Sequence, residues 1–336
     1  MDSGHDPRGH TGHTGHPAPG GHAGHPGHPG SGGHDGLGTV AHDAAAGWWI
    51  SEAIGLTVLA LALASYLTGV HRHRARGPWA RWRTTAWITG LACVGLAWAG
   101  PLADAARHDF TAHMVGHLLL GMIGPLLLVL AAPVTLALRT LPAPGARTLS
   151  AVLRSPPVRV VTHPVVAAGL NAGGLWLLYA TDLFAEMHSA PALHVVVHVH
   201  VLLAGVAFTV AMIGPDPNPH RASLRARATV LVLFIGAHSI LGKWLYAHPP
   251  TGVEPTEARI GAQLMYYGGD IVDLTILVLL FAGWYPGSRF RSRLLPGNPA
   301  AGRRHPGIDT APDPLESGHH IDGGGPAWPG RSASAN

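Results

Sequence analysis

The chain has 336 residues, of which 47% are hydrophobic and only 12% charged, with a formal net charge of +4. Soluble domains carry roughly 25% charged residues, so this composition excludes an ordinary globular fold and points to an all-α integral membrane protein. The basic balance does not imply nucleic acid, because the arginines fall in alternate loops between apolar runs.

Residues 1–47 are Gly, Pro and His with little that is apolar, including nine histidines between His5 and His42. Such a segment cannot bury enough surface to offset its ordering entropy, which predicts a disordered tail. It is no signal peptide, since no basic region precedes a short apolar core. Its imidazoles suit Cu, Ni, Zn or Fe, so the tail reads equally as a metal collector or as a low-complexity linker.

Seven apolar spans follow within a membrane domain at 48–285: Trp48–Val70, Thr85–Ala103, His113–Leu138, Val160–Ala180, Pro191–Ile213, Ala228–Ala247 and Gly261–Tyr285. The third has no charge between His117 and Arg139 and exceeds the ~20 residues that cross a bilayer. Its Pro125 and Pro133 are tolerable where packed neighbours satisfy the freed backbone. Gly173-Gly174, Gly205 and Gly268-Gly269 permit close helix approach.

Arginines set the orientation of this seven-transmembrane-helix bundle. They gather after span one (Arg72, Arg74, Arg76, Arg81, Arg83), span three (Arg139, Arg147, Arg154, Arg159), span five (Arg221, Arg225, Arg227) and span seven (Arg289, Arg291, Arg293, Arg303, Arg304). The other connections hold only Arg107 and Arg259. The positive-inside rule then puts the N-terminus outside and the C-terminus in the cytoplasm, as in a multi-pass protein of a bacterial-type plasma membrane. Residues 286–336, rich in Gly, Pro, Ser and Arg, read as a disordered cytoplasmic tail.

With that threading the histidines gather on the outer side. His113 and His117 are four apart at the head of span three, on one helix face and about 6 Å apart along the axis. His194 and His198 repeat the spacing at the head of span five, and His108, His188 and His248 lie nearby. Two such pairs on neighbouring helix ends could supply a three- or four-nitrogen metal site. The single cysteine, Cys93, rules out a disulfide, a dithiolate copper site and a Cys-rich zinc site. Met114, Met187 and Met265 lie near the same level, and thioether sulfur favours copper as Cu(I) over zinc. The candidate ligands are therefore His113, His117, His194, His198, His188, Met114 and Asp270. Any one of these histidines alone reads as an interfacial hydrogen-bonding residue; the two pairs together favour a metal.

Deeper in the bilayer lie His238 and Lys243 of span six and Asp270 and Asp273 of span seven. Intramembrane charges are costly and face a partner or a cavity. These four read first as a structural ion pair fixing helix register, and second as a cation path or as ligands beneath the outer site. No phosphate loop, nucleophile–base set or haem-attachment Cys pair is present, so no enzyme activity is expected.

The run His113-Met-Val-Gly-His117-Leu-Leu-Leu, followed by Gly124-Pro-Leu-Leu-Leu-Val-Leu-Ala-Ala-Pro133, resembles the multi-span CtaG family of caa-type cytochrome c oxidase assembly factors. So do His163-Pro164 opening span four and Leu193-His194 with His198 opening span five. The resemblance covers about residues 48–285; the segment Gly269-Asp270-Ile-Val-Asp273 departs from the more apolar last span of that family. It implies a metallochaperone-like role in maturing the oxidase, with oxidase subunits as partners and copper handled on the outer face. His113, His117, His194 and His198 match the family's histidine motifs. Two other readings stay open: a copper or other metal-ion membrane transporter, and a b-type haem protein with axial histidines from different helices.

Overall fold

The computed structural model describes residues 35–283 and, from Gly47 onward, their side chains. Residues 1–34, with most of the histidine-rich segment, and the C-terminal segment from 284 lie outside the described residues. The first helix, α1 (Asp35–His73), begins well above the expected Trp48. The stretch from 35 to 47, read above as part of a disordered tail, is therefore helical; Ala41 and Ala44 to Ala46 are strong helix formers.

Helix α2 (Arg81–Trp98) follows a 3₁₀ turn, and short α3 (Pro101–Ala106) leads into the third apolar run. That run is one axis built in pieces: α4 (Phe110–His117), a π turn (Leu118–Ile123), α5 (Gly124–Leu130) and α6 (Pro133–Thr140). Pro125 explains the π turn. It has no N–H to donate and its ring crowds the carbonyl of Gly121, so the preceding turn widens. The widened turn is packed from outside by α11 (Pro191–Ile213), where a Cβ on Gly205 would collide with the Gly121 carbonyl. Pro133 makes the second break. Ala132 adopts φ 54°, the one non-glycine residue with positive φ among those described, and α6 starts afresh.

Helices α7 (Ala143–Leu153) and α8 (Pro156–Val161) cover one end, and α9 (Pro164–Ala180) returns. It meets α10 (Leu183–Ser189) at 80° before α11. The last two helices, α12 (Leu224–Ala247) and α13 (Pro255–Ala282), pack along each other. Their interface closes on glycine, with Gly242 against Tyr266 and Gly269 against His238.

Five stretches are long and apolar enough to cross a membrane: Gly47–Arg76, Phe110–Thr140, Pro191–Ile213, Leu224–Ala247 and Pro255–Ala282. The bent pair α9–α10 makes a sixth if counted as one. The remaining expected span, α2, is helical but less apolar, since Arg81, Arg83 and two threonines occupy its first turns. It is nonetheless enclosed, with Val94 and Ala97 buried against Leu120 and flanked by Leu59 of α1 and Val201 of α11. The chain is thus a multi-pass helical membrane protein.

The two largest apolar clusters among the described residues lie along the bundle. One joins Leu118, Met122, Phe208, Met212, Leu231, Phe234 and Ile276. The other joins Phe110, Met114, Tyr179, Phe184, Met187, Leu245 and Met265, and lies toward the end where the histidines collect.

Candidate functional site

That end is assembled from side chains of several helices, most of them close to a helix terminus. Asp109 caps α4 by accepting from the Ala112 amide at 2.6 Å, which fixes where His113 begins its turn. The Phe110 amide donates to Glu257 of α13, tying α4 to the last helix. Across the end, Arg107 bonds Glu52 of α1 at 3.2 Å, and the Trp98 indole donates to the Ser51 carbonyl at 3.0 Å.

Within this frame the imidazoles touch in series. His188 of α10 lies with its ring centre 5.7 Å from that of His113 and 6.5 Å from that of His194. His194 and His198 stack at 3.8 Å on α11. Their outer edges are covered by indoles, with Trp48 4.9 Å from His194 and Trp98 6.2 Å from His198. His188 also lines a cavity of about 250 Å³ bounded by Arg107, His108, Asp109, Phe184, Thr251 and Glu257. It is therefore the ring that joins the open cavity to the buried ones.

The ring nitrogens are used unequally. His113 Nε2 is 3.1 Å from the Tyr179 hydroxyl, which also lies 3.9 Å from the sulfur of Met114. The Nδ1 atoms of His188 and His198 face the carbonyls one turn earlier, Phe184 at 2.7 Å and His194 at 3.0 Å. Imidazole nitrogens so placed donate, leaving each Nε2 as the lone-pair atom. By contrast His117 Nε2 and His194 Nδ1 are buried without any hydrogen-bond partner. His117 sits one turn below His113 over Gly121, where a Cβ would come within 3.3 Å of its ring.

The structure thus brings four of the candidate ligands, His113, His188, His194 and His198, into ring contact, with His117 beneath them. It does not gather them around one point: among the described residues no group of three or more His, Cys, Asp or Glu side chains is placed to hold a metal ion together. Met114 is fully buried and packs, with Met187 and Met265, inside the aromatic core. Asp270 is not among these rings; it lies on α13, accepting from Ser239 at 3.3 Å. His200 turns to another face and reaches the Leu170 carbonyl at 3.1 Å. His248 stacks on Trp244. Lys243 pairs with neither aspartate; its ammonium lies 5.4 Å from the centre of the Tyr266 ring.

Sequence reasoning missed Tyr179, Trp48 and Trp98 as parts of this site. Aromatic residues at span ends read as interfacial anchors, and only helix packing aims them at histidines.

Residues 64–286 match the family of cytochrome c oxidase caa3 assembly factors, Caa3_CtaG. An uncharacterized protein of Mycobacterium leprae is 33% identical over 259 residues, covering 70% of this chain and 39% of its own length. Uncharacterized proteins of Mycobacterium bovis and Mycobacterium tuberculosis are each 34% identical over 203 residues, covering 58% of this chain and 31% of theirs. The chain therefore spans less than half the length of these relatives. No solved structure matches it. The matched segment takes in every helix of the imidazole cluster and extends beyond the last residue of α13, so the chain belongs to the cytochrome c oxidase caa3 assembly factor family.

Proposed function

We propose that this chain serves oxidase assembly by holding Cu(I) at the extracytoplasmic end of its bundle and passing it to an oxidase subunit by ligand exchange, with no substrate turned over. In this reading the chain crosses the membrane seven times, α2 and the α9–α10 pair included, with its N-terminus outside. The orientation is supported by the arginines, most of which flank the end of the bundle opposite the imidazoles, Arg107 and Arg259 being the exceptions among the described residues.

The observation that carries the copper reading is the series of touching rings from His188 to His113, His194 and His198, entered from the cavity. Unused nitrogens on His117 and His194 add two buried donors. Imidazole suits copper, and a soft ion of low coordination number needs few ligands at once. Because the rings meet pairwise, an ion would take two imidazoles at a time and move by exchanging one of them. Such a chain of weakly committed sites favours delivery over storage.

The test is Cu(I) loading of the full-length protein in detergent under reducing conditions, against a competing chelator. His113→Ala/His117→Ala and His194→Ala/His198→Ala are each expected to lose tightly held copper while the N-terminal tail stays intact. Oxidase from cells carrying either variant should then be short of copper. Wild-type copper retention by both double variants would show the cluster to be structural.

A further inference from the structure

Away from the imidazoles, α12 and α13 leave a cavity of about 290 Å³ between them, with Lys243, Tyr246, Gln263, Tyr266 and Tyr267 among its walls. Lys243 stands one helix turn before α12 ends at Ala247, so its charge lies within the apolar span. Its ammonium is 5.4 Å from the centre of the Tyr266 ring, and the Arg259 guanidinium of α13 is 5.8 Å from that of Tyr246. Neither cation has a carboxylate within ion-pair distance among the described residues. The hydroxyls of Tyr246, Tyr266 and Tyr267 make no hydrogen bond there either. A charge within a membrane span is costly and faces a partner or a cavity. Lys243 faces this cavity, and no acid of the chain answers it.

We propose that this cavity binds the headgroup of an anionic phospholipid, its phosphate held by Lys243 and Arg259. A phosphodiester supplies the acceptors that both cations lack, in charge-assisted hydrogen bonds stronger than neutral ones. The free tyrosine hydroxyls and the Gln263 amide add neutral donors around it. Glu254 and Asp270 keep their charges nearby. Glu254 caps α13 by accepting from the amides of Thr256 and Glu257, however, and Asp270 lies one turn deeper than Tyr266, facing Ser239. Neither forms an ion pair with Lys243 or Arg259.

Position selects a lipid over a soluble anion. Tyr246 and Tyr267 are exposed on the bundle surface, and the surface beneath them is apolar. Ile240 is exposed one turn deeper than Lys243, and Ile271 and Leu274 are exposed one and two turns deeper than Tyr267. An acyl chain hung from the headgroup would lie along these three side chains. The cations also select the headgroup. A choline would need an aromatic face for its ammonium, and Lys243 and Arg259 already lie over Tyr266 and Tyr246. A second ammonium there would be repelled by both. The site shares no side chain with the imidazole cluster, so it stands apart from the copper reading.

The experiment washes the full-length protein free of lipid in detergent, offers it phosphatidylglycerol or phosphatidylcholine, and counts bound lipid by mass spectrometry. Wild type should hold one phosphatidylglycerol per chain more than Lys243→Met, at least about tenfold more tightly than phosphatidylcholine, the scale of one hydrogen bond to a charged group. Lys243→Met and Arg259→Gln should each lose that preference, and Lys243→Arg should keep it. Either of the first two suffices if the other does not fold. Wild-type binding of phosphatidylglycerol by a folded Lys243→Met or Arg259→Gln overturns the site and leaves Lys243 a cation that reaches up to surface water. Glycerol phosphate, which has the anion but no acyl chains, should not displace the lipid. Displacement by it overturns the lipid assignment in favour of a soluble anion.

Discussion

The two ends of the bundle put their polar side chains to different uses. At the arginine end they repair the backbone. Asp216, in the loop between α11 and α12, accepts from the amides of Val134 and Thr135 at 3.2 and 2.8 Å and from the Thr135 hydroxyl at 2.6 Å. It thereby caps α6 from a distant segment, where Pro133 left the helix start open. Tyr66 donates to the Ala131 carbonyl at 3.0 Å beside the same break, and Arg221 and Arg227 reach the carbonyls of Gly214 and Met212. At the histidine end the rings instead face one another and a cavity, and His117 and His194 keep unused nitrogens. His73 at the arginine end also has a buried unused nitrogen, but its neighbours are Arg139 and Trp79, not a second imidazole. A polar group that closes a helix break is structural; one left open beside others of its kind is available to a ligand.

The sharpest way to break this contrast is to exchange the losses. Asp216→Ala leaves two amides and a hydroxyl without their acceptor at a partly buried position. It is expected to destabilise the protein by about 3 kcal/mol, given roughly 1–3 kcal/mol per orphaned group and partial relief by water. Thermal unfolding in detergent should fall accordingly, while the molecules that remain folded keep their Cu(I). The double substitution His113→Ala/His117→Ala should instead abolish tight copper, with a stability cost of its own from the two cavities left among the packed rings.

A finer test is Tyr179→Phe, which removes the hydroxyl beside His113 Nε2 and Met114. The loss of one buried hydrogen bond should cost about 1 kcal/mol, and Cu(I) affinity should change less than tenfold, because no imidazole is removed. A smaller effect comes from pH. Burial pushes the Asp216 carboxyl above the usual carboxylate range, outweighing the donors of Thr135 and Val134 and the nearby Arg83 charge. Its folded pKa is thus above its unfolded one. The stability this proton contributes is present below the unfolded value, about 3.9, and is lost as pH rises through the folded value. Wild type should therefore lose slightly more stability than Asp216→Ala between those two values, read as a difference in unfolding temperature.

Much of this was legible in order along the chain. The apolar runs gave the helices: Pro191–Ile213 matches α11 at both ends, and the i,i+4 spacing put His194 and His198 on one face, where they stack. The same spacing in α4 placed His117 one turn below His113. Pairing across helices was not legible. Nothing in the sequence says that Asp216 caps a helix begun 83 residues earlier at Pro133, or that His238 meets Asp273 while Lys243 turns to Tyr266.

Hydropathy, proline position and helical period act within a few residues, so the sequence alone determined which segments are helical, how many polar groups each carries and which of them share a face. Tertiary structure decided the rest: the widened turn after His117, the 80° bend after α9 and the indoles set against His194 and His198. It also decided that the clustered imidazoles touch in series without surrounding one point. Those outcomes depend on where glycines such as Gly121, Gly205 and Gly269 let backbones and rings approach. In a nearly all-apolar bundle it is this local fit, more than any gradient of hydrophobicity, that selects one packing over another.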